Sequence, residues 1–188
     1  MAESTRGRGL AKVIVQMTKL PGVLLLKPEI FTDHRGDYVM VLNKKEYAAY
    51  GITCEFVEHC ISTSRKGVLR GMHADYECDK LISVFHGSIY YVLADFTAQP
   101  PQWEAFILSD RNHWQLFKPA RYAAGLLALE DDTVFHYAQS EYYDPMRQHT
   151  YRFDDFRLNI WWPHMPGGYS MAQGDENIAM REKLLAKS

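Results

Sequence analysis

Cysteine is scarce in this 188-residue chain: Cys54, Cys60 and Cys78 are an odd number at no recognisable spacing. They exclude a closed disulfide framework and a zinc ribbon alike. Neither sign of charge is in excess, with 21 basic against 23 acidic side chains and a formal net charge of −2. Together with a sequence pI near 6.4, this speaks against a general nucleic-acid binder, which carries a basic surplus. No apolar run approaches the roughly 18 residues of a membrane span. The N-terminal MAESTRGRGLAK lacks the apolar stretch of a secretory signal, so the expected compartment is the cytoplasm. GxGxxG, P-loop and GxSxG motifs are all missing, which removes the Rossmann, NTPase and α/β-hydrolase classes. No repeat, low-complexity tract or Pro/Gly/Ser linker divides the chain. Residues 1–12 therefore read as a flexible arm and 13–188 as one domain with room for one core.

Aromatic residues are plentiful: 12 Tyr, 9 Phe and 4 Trp, 13% of the chain. Aromatics favour strands, and they also line sugar and base pockets. Short runs rich in Val, Ile, Tyr, Phe and Trp predict strands near Val23–Lys27, Tyr38–Leu42, Phe56–Ser62, Val68–Met72, Lys80–Phe85, Ser88–Phe96, Trp103–Leu108, Trp114–Lys118, Ala123–Leu129, Thr133–Gln139 and Asn159–Trp162. His86-Gly87-Ser88 reads as a hairpin turn. Asn43 is positioned to cap a helix over Lys44–Tyr50 with Gly51 as its stop, and Asp175 to cap Glu176–Ala186. Many short strands at close spacing predict an all-β sandwich or barrel with a few short peripheral helices.

Three segments carry residues suited to chemistry. Gly67-Val-Leu-Arg70-Gly71-Met-His73 places a cation and an imidazole near one strand end. Arg suits a phosphate through its fixed fork of donors, and His suits proton abstraction near neutral pH. From these residues alone, a surface Arg and a structural His at a sheet edge are the favoured reading. Thr133 to Pro145 runs a strand carrying Tyr137 into a turn with Tyr142 and Tyr143; a tyrosine there is an acid, a hydrogen-bond donor or packing. Phe31-Thr-Asp33-His-Arg35-Gly36 makes a turn with an exposed cation, or a local surface ion pair.

The order of these motifs resembles that of the dTDP-4-dehydrorhamnose 3,5-epimerase family, sugar-nucleotide epimerases of the cupin (double-stranded β-helix, jelly-roll) superfamily. The likeness runs from about Val23 to Pro163, with an extension to Asp175. Phe31-x-Asp33-x-Arg35-Gly36 resembles F-x-D-x-R-G; Ser62-x-Ser64 and Gly67-Val-Leu-Arg70-Gly71-Met72-His73 resemble S-x-S and G-V-L-R-G-L-H. Lys80-Leu81, Gly87, Ala94-Asp95, Leu108-Ser109, Pro119, Tyr137, Tyr142-Tyr143 and Trp162-Pro163 follow in family order. The resemblance implies His73 as catalytic base, Tyr137 as general acid, Lys80 as support for the enolate, and Asp175 as the acid that orients the histidine. It implies Arg70 and Arg35 on the diphosphate, Arg35 being offered across a homodimer interface. Phe31, Glu58, Asp75, Arg121 and Tyr143 complete the expected substrate-binding set. The implied reaction is epimerisation at C3, C5 or both of a TDP- or GDP-linked 4-keto sugar, a deoxyhexose or heptose, with no cofactor, metal, nucleic acid or membrane involved.

The chain also departs from the family. P-x-G-F-A-H-G-F is Pro119-Ala-Arg121-Tyr122-Ala123-Ala124-Gly125-Leu126, so the second active-site histidine is Ala124. Q-x-N is Glu58-His59-Cys60, and the Gln two residues beyond the base is Asp75. A different or larger sugar, such as a heptose, accounts for a changed contact shell around retained acid–base residues. A non-catalytic sugar-nucleotide binding module and a 3,4-ketoisomerase are the rival readings. A metal-dependent cupin needs about three His and an acid, where this chain offers His73-x-Asp75 and then Ala124.

Overall fold

The eight-residue run Ser88–Asp95 has no polar face, and every one of its residues is buried. A strand of that kind must be covered on both sides, and the computed structural model, which describes residues 12–177, shows what covers it. Two antiparallel sheets face each other. One has the strand order β1 (Val13–Met17), β2 (Leu24–Pro28), β10 (Gln115–Lys118), β7 (Lys80–His86), β12 (Thr133–Gln139), β5 (Glu58–Ser64). The other has the order β13 (His149–Thr150), β6 (Leu69–Ala74), β11 (Ala123–Ala128), β8 (Ser88–Asp95), β9 (Gln102–Ser109). A separate hairpin pairs β3 (Ile30–Asp33) with β4 (Gly36–Val39). The architecture is the expected all-β jelly roll.

Alternation along the strands feeds three apolar clusters. Tyr91 and Leu93 of β8 point between the sheets, where they meet Ile82, Leu116, Leu126 and Phe135. Tyr90 and Val92 point the other way, under a cover formed by Leu158, Trp162 and Met165. The opposite sheet buries Leu24, Leu26, Leu81 and Phe117 beneath Tyr47 and Ile52. Tyr47 belongs to α1 (Lys44–Ala48), whose Asn43 side chain accepts from the Glu46 N–H as a cap. Each fully buried Leu or Phe contributes about 1.5–3 kcal/mol relative to exposure, so these clusters dominate the stability of the sandwich. Among the described residues no helix is long and apolar enough to cross a membrane.

Several expectations are corrected. His86-Gly87-Ser88 is not a hairpin turn: β7 and β8 lie in different sheets, and Gly87, at φ +73°, is a corner packed on Thr133. The true hairpin joins β8 to β9, from Ser88↔Ser109 to Asp95↔Gln102. Asn159–Trp162 forms no strand, because Asp155 accepts the Leu158 and Asn159 N–H groups in a turn that ends with Asn159 at φ +47°. Trp161 is 64% exposed, so only Trp162 of that pair closes core. β1, β3 and β13 lie outside the expected strands, and β4 starts before the expected Tyr38. Asp175 does not cap a helix but lies inside a helical turn over residues 173–177. The rest of the expected helix, and residues 1–11 of the expected arm, lie outside the described residues.

Candidate active site

One end of the sandwich stays open as a cavity of about 560 Å³, within the size range of small-molecule sites. Its floor is hydrocarbon from the core cluster: Ile82, Tyr91, Leu126 and Phe135. Its walls are polar and come from both sheets. His73 and Arg70 stand on β6 of one sheet, and Tyr137, Lys80 and Lys118 on β12, β7 and β10 of the other.

Strict alternation would send Arg70 and His73, three residues apart, to opposite faces. A bulge prevents this. Ala124 pairs with His73 and Leu126 with Arg70, so β6 carries one residue more than β11 between those pairs. Gly71 makes the bulge possible: it sits at φ +108°, and a Cβ there would lie 2.6 Å from the Ala124 carbonyl oxygen. Both side chains therefore line the same cavity.

His73 Nε2 lies 2.8 Å from Asp175 Oδ1, and the Gly71 N–H donates to Asp175 Oδ2 at 3.2 Å. Burial alone raises the Asp175 carboxyl, but the His73 hydrogen bond and charge, the Gly71 N–H and Arg70 more than offset it and hold its pKa below the ordinary value. An ionised carboxylate only accepts, so Nε2 carries the proton and Nδ1 is left with a free lone pair.

Across the cavity, burial first, and then Cys60 and Glu58, push the Tyr137 phenol up to about 12, so it stays protonated at neutral pH. Lys80 Nζ stands 5.1 Å from the Tyr137 ring centroid. Arg70 Nε donates to Ser64 Oγ at 3.2 Å, which holds the guanidinium at the rim between the two sheets. A base with a fixed tautomer on one wall and a protonated phenol with an ammonium on the other can remove a proton and return one.

The remaining expected residues divide. Asp75 and Tyr143 line the cavity. Glu58 is not among its lining residues; its carboxylate accepts from the Tyr143 N–H at 3.1 Å and so anchors that residue. Arg121 turns away from the cavity, onto the buried Asp95 at 2.5 Å. Phe31 and Arg35 lie on the exposed β3–β4 hairpin, away from this chain's own cavity, with Arg35 held by Asp33 at 2.5 Å. Ala124 lies in register beside His73, so the histidine expected from the family pattern is replaced by a methyl group at the cavity wall. Lys118 and Gln139 were missed. The signal for Lys118 was present in the sequence, as a charge closing the apolar strand Gln115–Lys118.

An imidazole–carboxylate pair on one wall of an open jelly-roll end faces a phenol and an ammonium on the other, above an apolar floor, and the class of the chain, an isomerase, is that of its family. Its family follows from comparison with known proteins: the chain belongs to the dTDP-4-dehydrorhamnose 3,5-epimerases, whose family profile matches residues 17–183. The enzyme of that name from Methanothermobacter thermautotrophicus is 34% identical over 151 residues, 78% of this chain and 82% of the relative. That of Escherichia coli K12 is 31% identical over 175 residues, 89% of this chain and 94% of the relative. Among solved structures, the Bacillus anthracis enzyme with TDP and PPi bound superposes with a TM-score of 0.84 at 32% identity, covering 89% of this chain and 98% of that one. The Legionella pneumophila epimerase in complex with dTDP-4-keto-L-rhamnose also gives 0.84, at 30% identity over 89% of this chain and 92% of that one.

Proposed function

We propose that this protein epimerises a TDP-linked 4-keto sugar at C3, C5 or both, through an enolate. The observation that carries the reading is the placement of His73 and Tyr137 on facing sheets, both lining one cavity. The 4-keto group acidifies the neighbouring C–H bonds. His73 Nδ1 takes a proton, the C–H electron pair moves onto the carbonyl oxygen, and Lys80 holds the resulting charge. The Tyr137 O–H then delivers a proton to the opposite face and inverts the centre. Asp175 stabilises the imidazolium formed in the first step. Arg70 grips the diphosphate at the rim. The nucleotide assignment is supported by the relatives bound to TDP and to dTDP-4-keto-L-rhamnose.

The second expected arginine comes from a second subunit. The exposed Ile30, Phe31 and Tyr38 give the β3–β4 hairpin an apolar surface. A homodimer that buries this hairpin against the partner's cavity rim brings Arg35 to the diphosphate. The methyl group of Ala124 leaves room beside the base, which suits a sugar larger than a deoxyhexose, such as a heptose.

Incubation with TDP- and GDP-linked 4-keto hexoses and heptoses in D2O tests the reading, with proton NMR following C3 and C5. Deuterium enters at one or both carbons of the TDP sugar, and His73→Asn stops it. No exchange on any of these substrates refutes the reading, as does exchange that His73→Asn leaves unchanged.

A further inference from the structure

We infer that Lys118 is a positioning residue for this reaction: its buried ammonium fixes a positive charge beside Lys80 and locks the two turns that deliver Lys80 and Ala124 to the cavity. The inference deepens the epimerase reading and rests on it.

Lys118 is 2% exposed, yet it carries a charge. Its Nζ donates to the carbonyls of Cys78 at 3.3 Å, Pro119 at 3.1 Å and Tyr122 at 3.1 Å. An ammonium has three donors, and all three find acceptors, so the site is built for the protonated form. Cys78 stands two residues before Lys80, and Tyr122 two residues before Ala124. One side chain thus ties together β10, the turn into β7 and the turn into β11.

Lys118 is also the direct antiparallel partner of Lys80. Like charges directly opposite in a sheet are unfavourable. The charged and titratable groups that face Lys118 are Lys80 on β7, Asp79 and Cys78 in the turn before it, and Asp75 beyond β6. Among the described residues no carboxylate lies within ion-pair distance of it. Burial first, and then Lys80, push the Lys118 pKa down to about 8. A methionine or leucine would fill the same space without burying a charge that has no counter-ion. The arrangement lowers stability at neutral pH, and it makes sense where an anion must form nearby. That anion is the enolate. Lys80 is only partly buried, on a flexible stem, whereas Lys118 is held rigidly and contributes its field with no reorganisation during the reaction.

The test compares wild type with Lys118→Met in the D2O exchange and product assays across pH, with circular dichroism confirming the fold. Loss of the charge lowers kcat about tenfold or more while KM changes less than about threefold. In the wild type, kcat declines as the pH rises through about 8, and this decline is absent in Lys118→Met. A purely structural lysine would not remove the alkaline limb. Wild-type kcat in Lys118→Met overturns the inference, as does persistence of the limb. If the variant does not fold, the wild type decides alone: a flat kcat above pH 8, with the fold intact, overturns it. No exchange by the wild type overturns the epimerase reading and this inference together, whereas wild-type exchange with an unaffected Lys118→Met overturns this inference only.

Discussion

Replacing Asp175 by Asn keeps shape and removes both a charge and an acceptor. Asp175 serves two donors at once, the His73 Nε2–H at 2.8 Å and the Gly71 N–H at 3.2 Å. A carboxylate accepts both; an amide has one accepting end. If the amide oxygen faces His73, the NH2 group is pressed against the Gly71 N–H. The tautomer survives, but the imidazolium loses a charge-assisted hydrogen bond worth about 1.5–3 kcal/mol, or roughly 10- to 150-fold in rate. If the oxygen faces Gly71, the NH2 group donates to Nε2 and the histidine proton moves to Nδ1, where the free lone pair is needed. Wrong-tautomer substitutions of this type cost about 10⁴. Asp175→Asn therefore lowers kcat/KM by between about 10¹ and 10⁴, toward the upper end wherever the Gly71 contact is kept. The assay is C3 and C5 proton washout from the TDP-linked 4-keto sugar. A variant within threefold of wild type, with its fold intact, would refute the assignment of Nδ1 as the base and of Asp175 as its partner. The same carboxylate predicts a pH dependence of stability. Its native pKa lies below the ordinary 3.8, so its contribution is complete above that value and is lost as the pH falls through the lowered native pKa. Asp175→Asn flattens this part of the acid-denaturation curve.

Tyr137→Phe removes the proton donor but not the base. Deuterium exchange at the carbon facing His73 continues while inverted product falls by about 10²–10⁴, and product formation near the wild-type rate would discard Tyr137 as the acid. Gly71→Ala forces a side chain to within 2.6 Å of the Ala124 carbonyl at φ +108°. It lowers stability by about 2–4 kcal/mol in urea titrations and reduces activity by turning Arg70 or His73 from the cavity; an unchanged midpoint and rate would show that the bulge relaxes freely.

Much of the candidate site was legible before any fold was known, because the chemistry restricts the residue types. A strand ending in Arg70-Gly71-Met72-His73, followed by Lys80 and later by Tyr137, already holds an imidazole, cations and a phenol in family order. Part of the burial code was legible as well, since period-2 alternation marked several strands, whereas the structure shows β8 covered on both faces. The failures share a cause. The corner at Gly87 looks like a hairpin because a glycine between two strands does not say whether the next strand pairs or changes sheet. Arg121 looks like a substrate contact until Asp95, distant in sequence, claims it. Glu58 looks like a substrate contact until the Tyr143 N–H meets it.

By itself, then, the amino-acid sequence determined most of the strands, the alternation along them, and the inventory of titratable side chains, since these follow from local periodicity and side-chain chemistry. The tertiary structure decided which groups stand together. It placed His73 and Tyr137 on opposite walls, reset the alternation at Gly71 so that Arg70 and His73 share a cavity, and brought Asp175 behind the histidine from the far end of the described chain. It also placed Lys118 against Lys80, where a charge that looks like an ordinary strand end is buried among three carbonyls. Each of these depends on strand register and on sheet pairing between segments far apart in the chain, which local patterning does not encode.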